Sequence, residues 1–123
     1  MKYSMEEYRR MVGHGVRNLV TQAMPSDLQS DESIVDECLA CFKTYYTSNM
    51  DVKTHPYPGM VELVRSLYES GVKVAVASNK FQSGTESLVR KFFPGVEFSA
   101  VLGNREGAAL KPDARIVLQC MEA

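Results

Sequence analysis

Two short stretches carry side chains suited to holding an anion. Ser78-Asn79-Lys80 follows the apolar run from Val72 to Ala77, and Lys111-Pro112-Asp113 comes later in the chain. A hydroxyl at a strand end, followed by backbone N–H groups leading into a helix, makes a cradle for an oxyanion or a phosphate. A lysine beside a helix N-terminus on the same side of the sheet neutralises a bound phosphate. Taken singly, each stretch also has a plain structural reading. Ser-Asn after a strand commonly makes a turn or a helix cap, and Lys111 alone reads as a solvated surface side chain. Cys38-x-x-Cys41 lies in a helical pattern with no second pair of His or Cys, so it reads as two buried small apolar side chains rather than a zinc site. Gly13-x-Gly15 is too short, and lies in too helical a region, to be a nucleotide-binding loop, and no Walker or dinucleotide glycine pattern occurs.

The elements that must position these residues follow from periodicity. Met5, Tyr8, Met11, Val12, Val16, Leu19, Val20 and Ala23 have helical spacing, interrupted at Gly13-His14-Gly15, which predicts two short helices with Pro25 as the breaker. Ile34, Val35, Cys38, Leu39, Phe42, Tyr45 and Tyr46 predict a helix over 31–49 capped by Ser30 or Asp31. His55-Pro56-Tyr57-Pro58-Gly59 reads as a rigid linker. An amphipathic helix over 59–70 turns Met60, Val61, Val64, Leu67 and Tyr68 inward and ends at Gly71. Residues 72–77 predict a buried strand of a parallel sheet. A helix over 82–93 and a strand over 98–102 follow, and Pro112 opens a last helix as its first residue. Helix, strand, helix, strand, helix is an α/β signature. Residues 1–50 read as an all-helical part, and the pattern changes to α/β, with two parallel strands, beyond the linker.

Composition excludes several classes of function. The 123 residues carry 14 basic and 15 acidic side chains. Residues 1–50 hold five basic and seven acidic groups, and residues 51–123 hold nine and eight, so neither part has the basic excess of a nucleic-acid binder. No apolar run approaches the roughly 20 residues of a membrane span. MKYSMEEYRR lacks the apolar segment of a secretory leader. Three cysteines without such a leader predict reduced thiols and a cytoplasmic location.

Two strands are few for a parallel sheet covered on both faces. The chain opens within a helical pattern and closes within another, which reads as a fragment. VKVAVASNK over 72–80, with Lys111-Pro112-Asp113 downstream, resembles the second and third motifs of the haloacid dehalogenase-like hydrolases. Tyr57-Pro58-Gly59 and Gly71 fit the same pattern. Glu6-Glu7-Tyr8-Arg9, followed by Val12-Gly13-His14-Gly15-Val16-Arg17-Asn18-Leu19, is similar to the helical cap of the phosphoglycolate phosphatase-like branch. Ala114 departs from the pattern, since proline is frequent after Lys-Pro-x.

The resemblance implies an α/β fold: a helical cap, most of it within 1–52, on a partial Rossmann-like parallel sheet core over 53–123. It implies that Ser78 hydrogen-bonds a transferring phosphoryl group, that Lys111 balances its charge, and that the Asn79 backbone supports the phosphate loop. His14 and Arg17 face the substrate on this view, or are an ordinary surface histidine and arginine of a helical region. The substrate class implied is a small phosphorylated metabolite such as 2-phosphoglycolate. The cofactor implied is Mg²⁺, whose ligands lie in a first Asp-x-Asp motif and a last acidic motif. Neither motif occurs here, so the 123 residues alone are expected to be inactive, since an aspartyl-phosphate mechanism needs its carboxylate nucleophile. The strand over 72–77 is expected to expose an edge and favour self-association. The alternative is a non-catalytic interaction module of the same fold.

Overall fold

The computed structural model describes residues 3–105 and 107–123. The chain separates into two compact units, Met1–Met50 and Asp51–Ala123. The first is wholly helical, with α1 (Met5–Met11), α2 (Val16–Ala23) and α3 (Glu32–Asn49). Ser4 and Glu7 form a reciprocal capping box on α1: Ser4 Oγ accepts from the Glu7 amide at 3.3 Å, and the Ser4 amide donates to the Glu7 carboxylate at 2.7 Å. The Ser4 hydroxyl and then the Ser4 amide, each donating to the Glu7 carboxylate at 2.7 Å, hold the Glu7 carboxyl below its ordinary pKa. The break between α1 and α2 falls at Gly13 and Gly15, whose φ angles of 105° and 88° suit glycine alone. Asp31 caps α3, accepting from the amides of Ser33 and Ile34 at 3.1 and 3.2 Å.

Val20, Met24 and Val35 form the centre of this unit, with Val16, Leu28, Ile34, Cys38, Leu39 and Phe42 packed around them. The heptad-like spacing of α3 therefore marks its inner face as far as Phe42. Past that point Tyr46 stays half-buried and Met50, at the C-cap, is buried. Tyr45 is 71% exposed, against expectation, whereas Tyr46 stacks on Phe42 with ring centroids 5.5 Å apart. Cys41 is exposed and Cys38 half-buried, so the Cys38-x-x-Cys41 pair does not lie buried as the pattern suggests. The two residues lie about 60° apart around the helix, and only Cys38 packs against the core, with Cys41 past its edge.

The second unit contains α4 (Met60–Glu69), β1 (Ala75–Phe81), α5 (Gln82–Phe92), β2 (Ala100–Asn104) and α6 (Arg115–Met121). α4 ends in a complete Schellman motif: the Gly71 amide donates to Tyr68 O at 2.9 Å, the Val72 amide donates to Leu67 O at 3.0 Å, and Gly71 takes a φ of 77°. Val72 is thus spent on capping the helix, and the strand expected from 72 starts at Ala75. Val64 is the one residue of the expected inner face that α4 buries fully; Met60 and Leu67 remain partly exposed.

β1 and β2 run parallel, pairing Ala75 with Ala100, Val76 with Val101 and Ala77 with Leu102. Between Ala77 and Phe81 the register shifts, and Phe81 pairs with Asn104. The Val74 carbonyl accepts from the Ser99 amide at 2.8 Å. Backbone groups alternate sides along a strand, so Val74 and Val76 face β2 while Ala75 and Ala77 face the outer edge. That edge has no neighbouring strand among the described residues. α6 buries Ile116 and does not begin at Pro112 as expected. The Asp113 amide turns back to Leu110 O, and the Asp113 carboxylate accepts from the Arg115 amide, so residues 111–114 form a turn before the helix. No helix among the described residues is long and apolar enough to cross a membrane.

Candidate active site

The carboxyl end of β1 is where the ladder loses its regular register, so Ser78, Asn79 and Lys80 are released from the flat strand. Ser78 is half-buried. Its Oγ accepts from the Lys80 amide at 3.1 Å, which fixes the side chain and keeps its own proton available for an acceptor. α5 starts directly after this segment, so its first-turn N–H groups stand at the same end of the sheet.

The segment is held from behind by α5 and β2. Thr85, buried, donates to Lys80 O and Phe81 O, each at 3.2 Å. Gln82 accepts from the Gly103 amide at 2.6 Å and donates to Val101 O at 2.8 Å, tying the start of α5 to β2. Gly103 makes this close approach feasible. A Cβ there would lie 2.7 Å from both Gln82 Cα and Lys80 O, and 2.8 Å from Thr85 Oγ1.

Lys111 arrives from the turn before α6. Its amide donates to Asn79 Oδ1 at 2.7 Å, and its carbonyl accepts from Asn79 Nδ2 at 3.0 Å. Its ammonium donates to Ala77 O at 2.8 Å, on the outer edge of β1. One of the three ammonium protons is used there, which leaves two for an anion. The structure therefore brings Ser78, Asn79 and Lys111 to one end of β1, and Asn79, expected to support the loop through its backbone, also bonds Lys111 through its side-chain amide. The Lys111–Pro112 peptide is cis. Asp113 points its carboxylate at its own turn and at Arg115, whose guanidinium bonds it at 2.8 and 3.0 Å. Those bonds hold the Asp113 carboxyl at about 2 and raise Arg115.

His14 and Arg17 lie in the first unit. His14 is exposed in the break between α1 and α2. Arg17, in the first turn of α2, forms an exposed ion pair with Asp36 of α3, and Asp36 raises its pKa further. The ion pair gives Arg17 a structural occupation within its own unit.

Several residues that shape the site carry no local signal in the sequence. The Ala77 carbonyl, the Thr85 hydroxyl and the Gln82 amide act through contacts that periodicity does not encode. Gly103, directly after the apolar Ala100–Leu102, was the one detectable cue, since a glycine inside a strand marks a close backbone approach.

Mg²⁺ takes carboxylate oxygens together with water and phosphate oxygens. At the carboxyl end of β1 the donors are a hydroxyl, a carboxamide and an ammonium, and this set does not fit Mg²⁺. Among the described residues no three of His, Cys, Asp and Glu gather into a metal-holding group.

A two-stranded parallel sheet flanked by helices, with a hydroxyl and a lysine at the carboxyl end of its first strand, defines an α/β protein with an anion-binding arrangement at that end. The family profile described as haloacid dehalogenase-like hydrolase matches residues 1–123, and the chain belongs to that family. A phosphoglycolate phosphatase of Mesorhizobium japonicum is 32% identical over 109 residues, covering 88% of this chain and 48% of the relative. One from Agrobacterium fabrum is 29% identical over 118 residues, covering 95% and 51%. A crystal structure from Lactobacillus delbrueckii subsp. bulgaricus, described as a "putative phosphoglycolate phosphatase", superposes with a TM-score of 0.75 at 28% identity, covering 98% of this chain and 58% of that one. The chain thus spans about half the length of the curated relatives it matches.

Proposed function

We propose that these residues carry the phosphate-binding part of a phosphomonoesterase site for a small phosphorylated metabolite of the phosphoglycolate type. The observation that carries this reading is the anchoring of Lys111 at the carboxyl end of β1 to Ala77 and Asn79, the two residues that flank Ser78. Ser78 donates its hydroxyl proton to a phosphoryl oxygen. Lys111 supplies the positive charge that offsets the phosphate and the charge developing on it during transfer. The backbone around Asn79 lines the loop. Residues 1–52, which take in the helical unit Met1–Met50, serve as the cap, with His14 and Arg17 as its candidate substrate contacts.

The 123 residues contain no Asp-x-Asp. Neither Ser78 nor Lys111 can act as a carboxylate nucleophile, so the chain on its own does not hydrolyse phosphate esters. The nucleophile, the acid–base carboxylate and the Mg²⁺ ligands are supplied by residues outside this stretch. The names of the relatives support the substrate class. The outer edge of β1 supports a tendency to self-associate, and with it the second reading of the chain as an interaction module.

A chimera tests the proposal: these 123 residues replace the matched segment of the Mesorhizobium japonicum relative. The chimera hydrolyses 2-phosphoglycolate in Mg²⁺ buffer, Lys111→Ala and Ser78→Ala each cut kcat/KM by about 100-fold or more, and the isolated 123 residues show no turnover. A folded chimera in which Lys111→Ala changes nothing would overturn it.

A further inference from the structure

We propose that Asn79 is a positioning residue for Lys111, acting through its side-chain carboxamide on the Lys111 backbone. The inference deepens the phosphate reading above and rests on its assignment of Lys111 as the counter-charge.

Asn79 and Lys111 are 32 residues apart, yet the carboxamide satisfies both backbone groups of Lys111. Oδ1 accepts from its amide at 2.7 Å and Nδ2 donates to its carbonyl at 3.0 Å. A planar amide meeting one residue's N–H and C=O in this way mimics a strand pairing. It fixes the position and the tilt of that residue together, which a single bond cannot do. Aspartate could offer the acceptor but not the donor, and a hydroxyl is too short to offer both at once.

The turn around Lys111 needs such a fixture. Lys111 is exposed, and the residues on either side belong to no helix or strand. Apart from the clamp, Lys111 is tied down by its own ammonium on Ala77 O at 2.8 Å, and that bond competes with any anion the ammonium must hold. When the ammonium turns to a phosphate, the Asn79 clamp keeps the backbone in place. The side chain then exchanges one acceptor for another without the turn drifting from the sheet. Ser78 stands next to Asn79 on the same released segment, so the clamp also sets the distance between the hydroxyl and the cation. Preorganisation of this kind raises affinity by removing an ordering cost from the binding step.

The test uses amide hydrogen exchange and titration with inorganic phosphate, both followed by NMR on the full 123-residue chain. The Lys111 amide is protected in the parent chain. Asn79→Ala speeds its exchange by about tenfold and weakens phosphate binding by about fivefold to tenfold. Asn79→Asp, which keeps the acceptor, restores amide protection but not phosphate affinity. Asn79→Ala adds nothing to the loss caused by Lys111→Ala, because the two act through one group. The β1 and β2 amides report whether each variant is folded. Unchanged Lys111 exchange in folded Asn79→Ala overturns the inference, as does full additivity with Lys111→Ala. If phosphate shifts no resonance of the parent chain, the phosphate reading fails, and a Lys111 amide still released by Asn79→Ala shows that the clamp itself stands.

Discussion

Gly103→Ala puts a single methyl group where the structure has no room. The added Cβ would sit 2.7 Å from Gln82 Cα and from Lys80 O, and 2.8 Å from Thr85 Oγ1. Two of these atoms are backbone, so no side-chain rotation relieves the clash. β2 and the start of α5 have to separate instead, and that movement stretches the bond from the Gly103 amide to Gln82, now 2.6 Å. Overpacking of this kind costs about 1–3 kcal/mol, and weakening the buried bond adds roughly 1 kcal/mol. For a unit of this size each kcal/mol lowers the melting temperature by roughly 4–8 °C. A loss of about 2–4 kcal/mol therefore moves the unfolding transition of the second unit down by roughly 10–30 °C. Gly71→Ala is the matched comparison. It meets no atom within 4 Å but must hold a φ of 77°, at a cost of about 1–2 kcal/mol. Urea unfolding of both variants, followed by circular dichroism, ranks them. If Gly103→Ala stays within about 0.5 kcal/mol of the parent chain, the close approach that supports the Lys80 carbonyl is refuted.

Thr85→Val leaves the Lys80 and Phe81 carbonyls without their shared donor and costs about 1–3 kcal/mol in urea unfolding; no loss would show that solvent replaces it. Asp31→Ala removes the acceptor for two first-turn amides of α3 and destabilises the helical unit by about 1 kcal/mol, whereas Ser30→Ala has no such effect. The Asp113 carboxyl, depressed to about 2 by Arg115, contributes stability that is complete above its unfolded value near 4. That stability is lost as pH falls from about 4 through about 2. Carboxyl-carbon NMR places its midpoint near 2 in the parent chain and nearer 4 in Arg115→Ala, and an unshifted Asp113 in the parent would contradict the bonding described.

What the sequence made legible was local. Asp31 and Gly71 announced their caps, and Gly13 and Gly15 their break, because each acts on neighbours within a turn or two. Val72 shows where local reading stops: β-branched and apolar, it reads as strand, but the Schellman motif takes its amide. Pro112 suits a first helical position, yet Asp113 makes a turn of its own and delays α6 to Arg115. Tyr45 stands about 100° round α3 from Tyr46, at the rim of the apolar face, so it is exposed while Tyr46 and Met50 are not. For the site, strand-end position and the resemblance to two family motifs singled out Ser78 and Lys111, which residue type alone did not. The pairing of the Asn79 carboxamide with Lys111 spans 32 residues, and the Ala77 carbonyl belongs to every residue type alike, so neither could be seen before the fold was known.

The central claim is that the carboxyl end of β1 binds phosphate through Ser78 and Lys111. Titrating the ¹⁵N-labelled 123-residue chain with inorganic phosphate at constant ionic strength tests it most directly. The account predicts saturable shifts confined to the amides of Ser78, Asn79, Lys80 and Lys111 and the first turn of α5, abolished by Lys111→Ala. Shifts centred instead on His14 and Arg17, or a response that Lys111→Ala leaves intact, would contradict it.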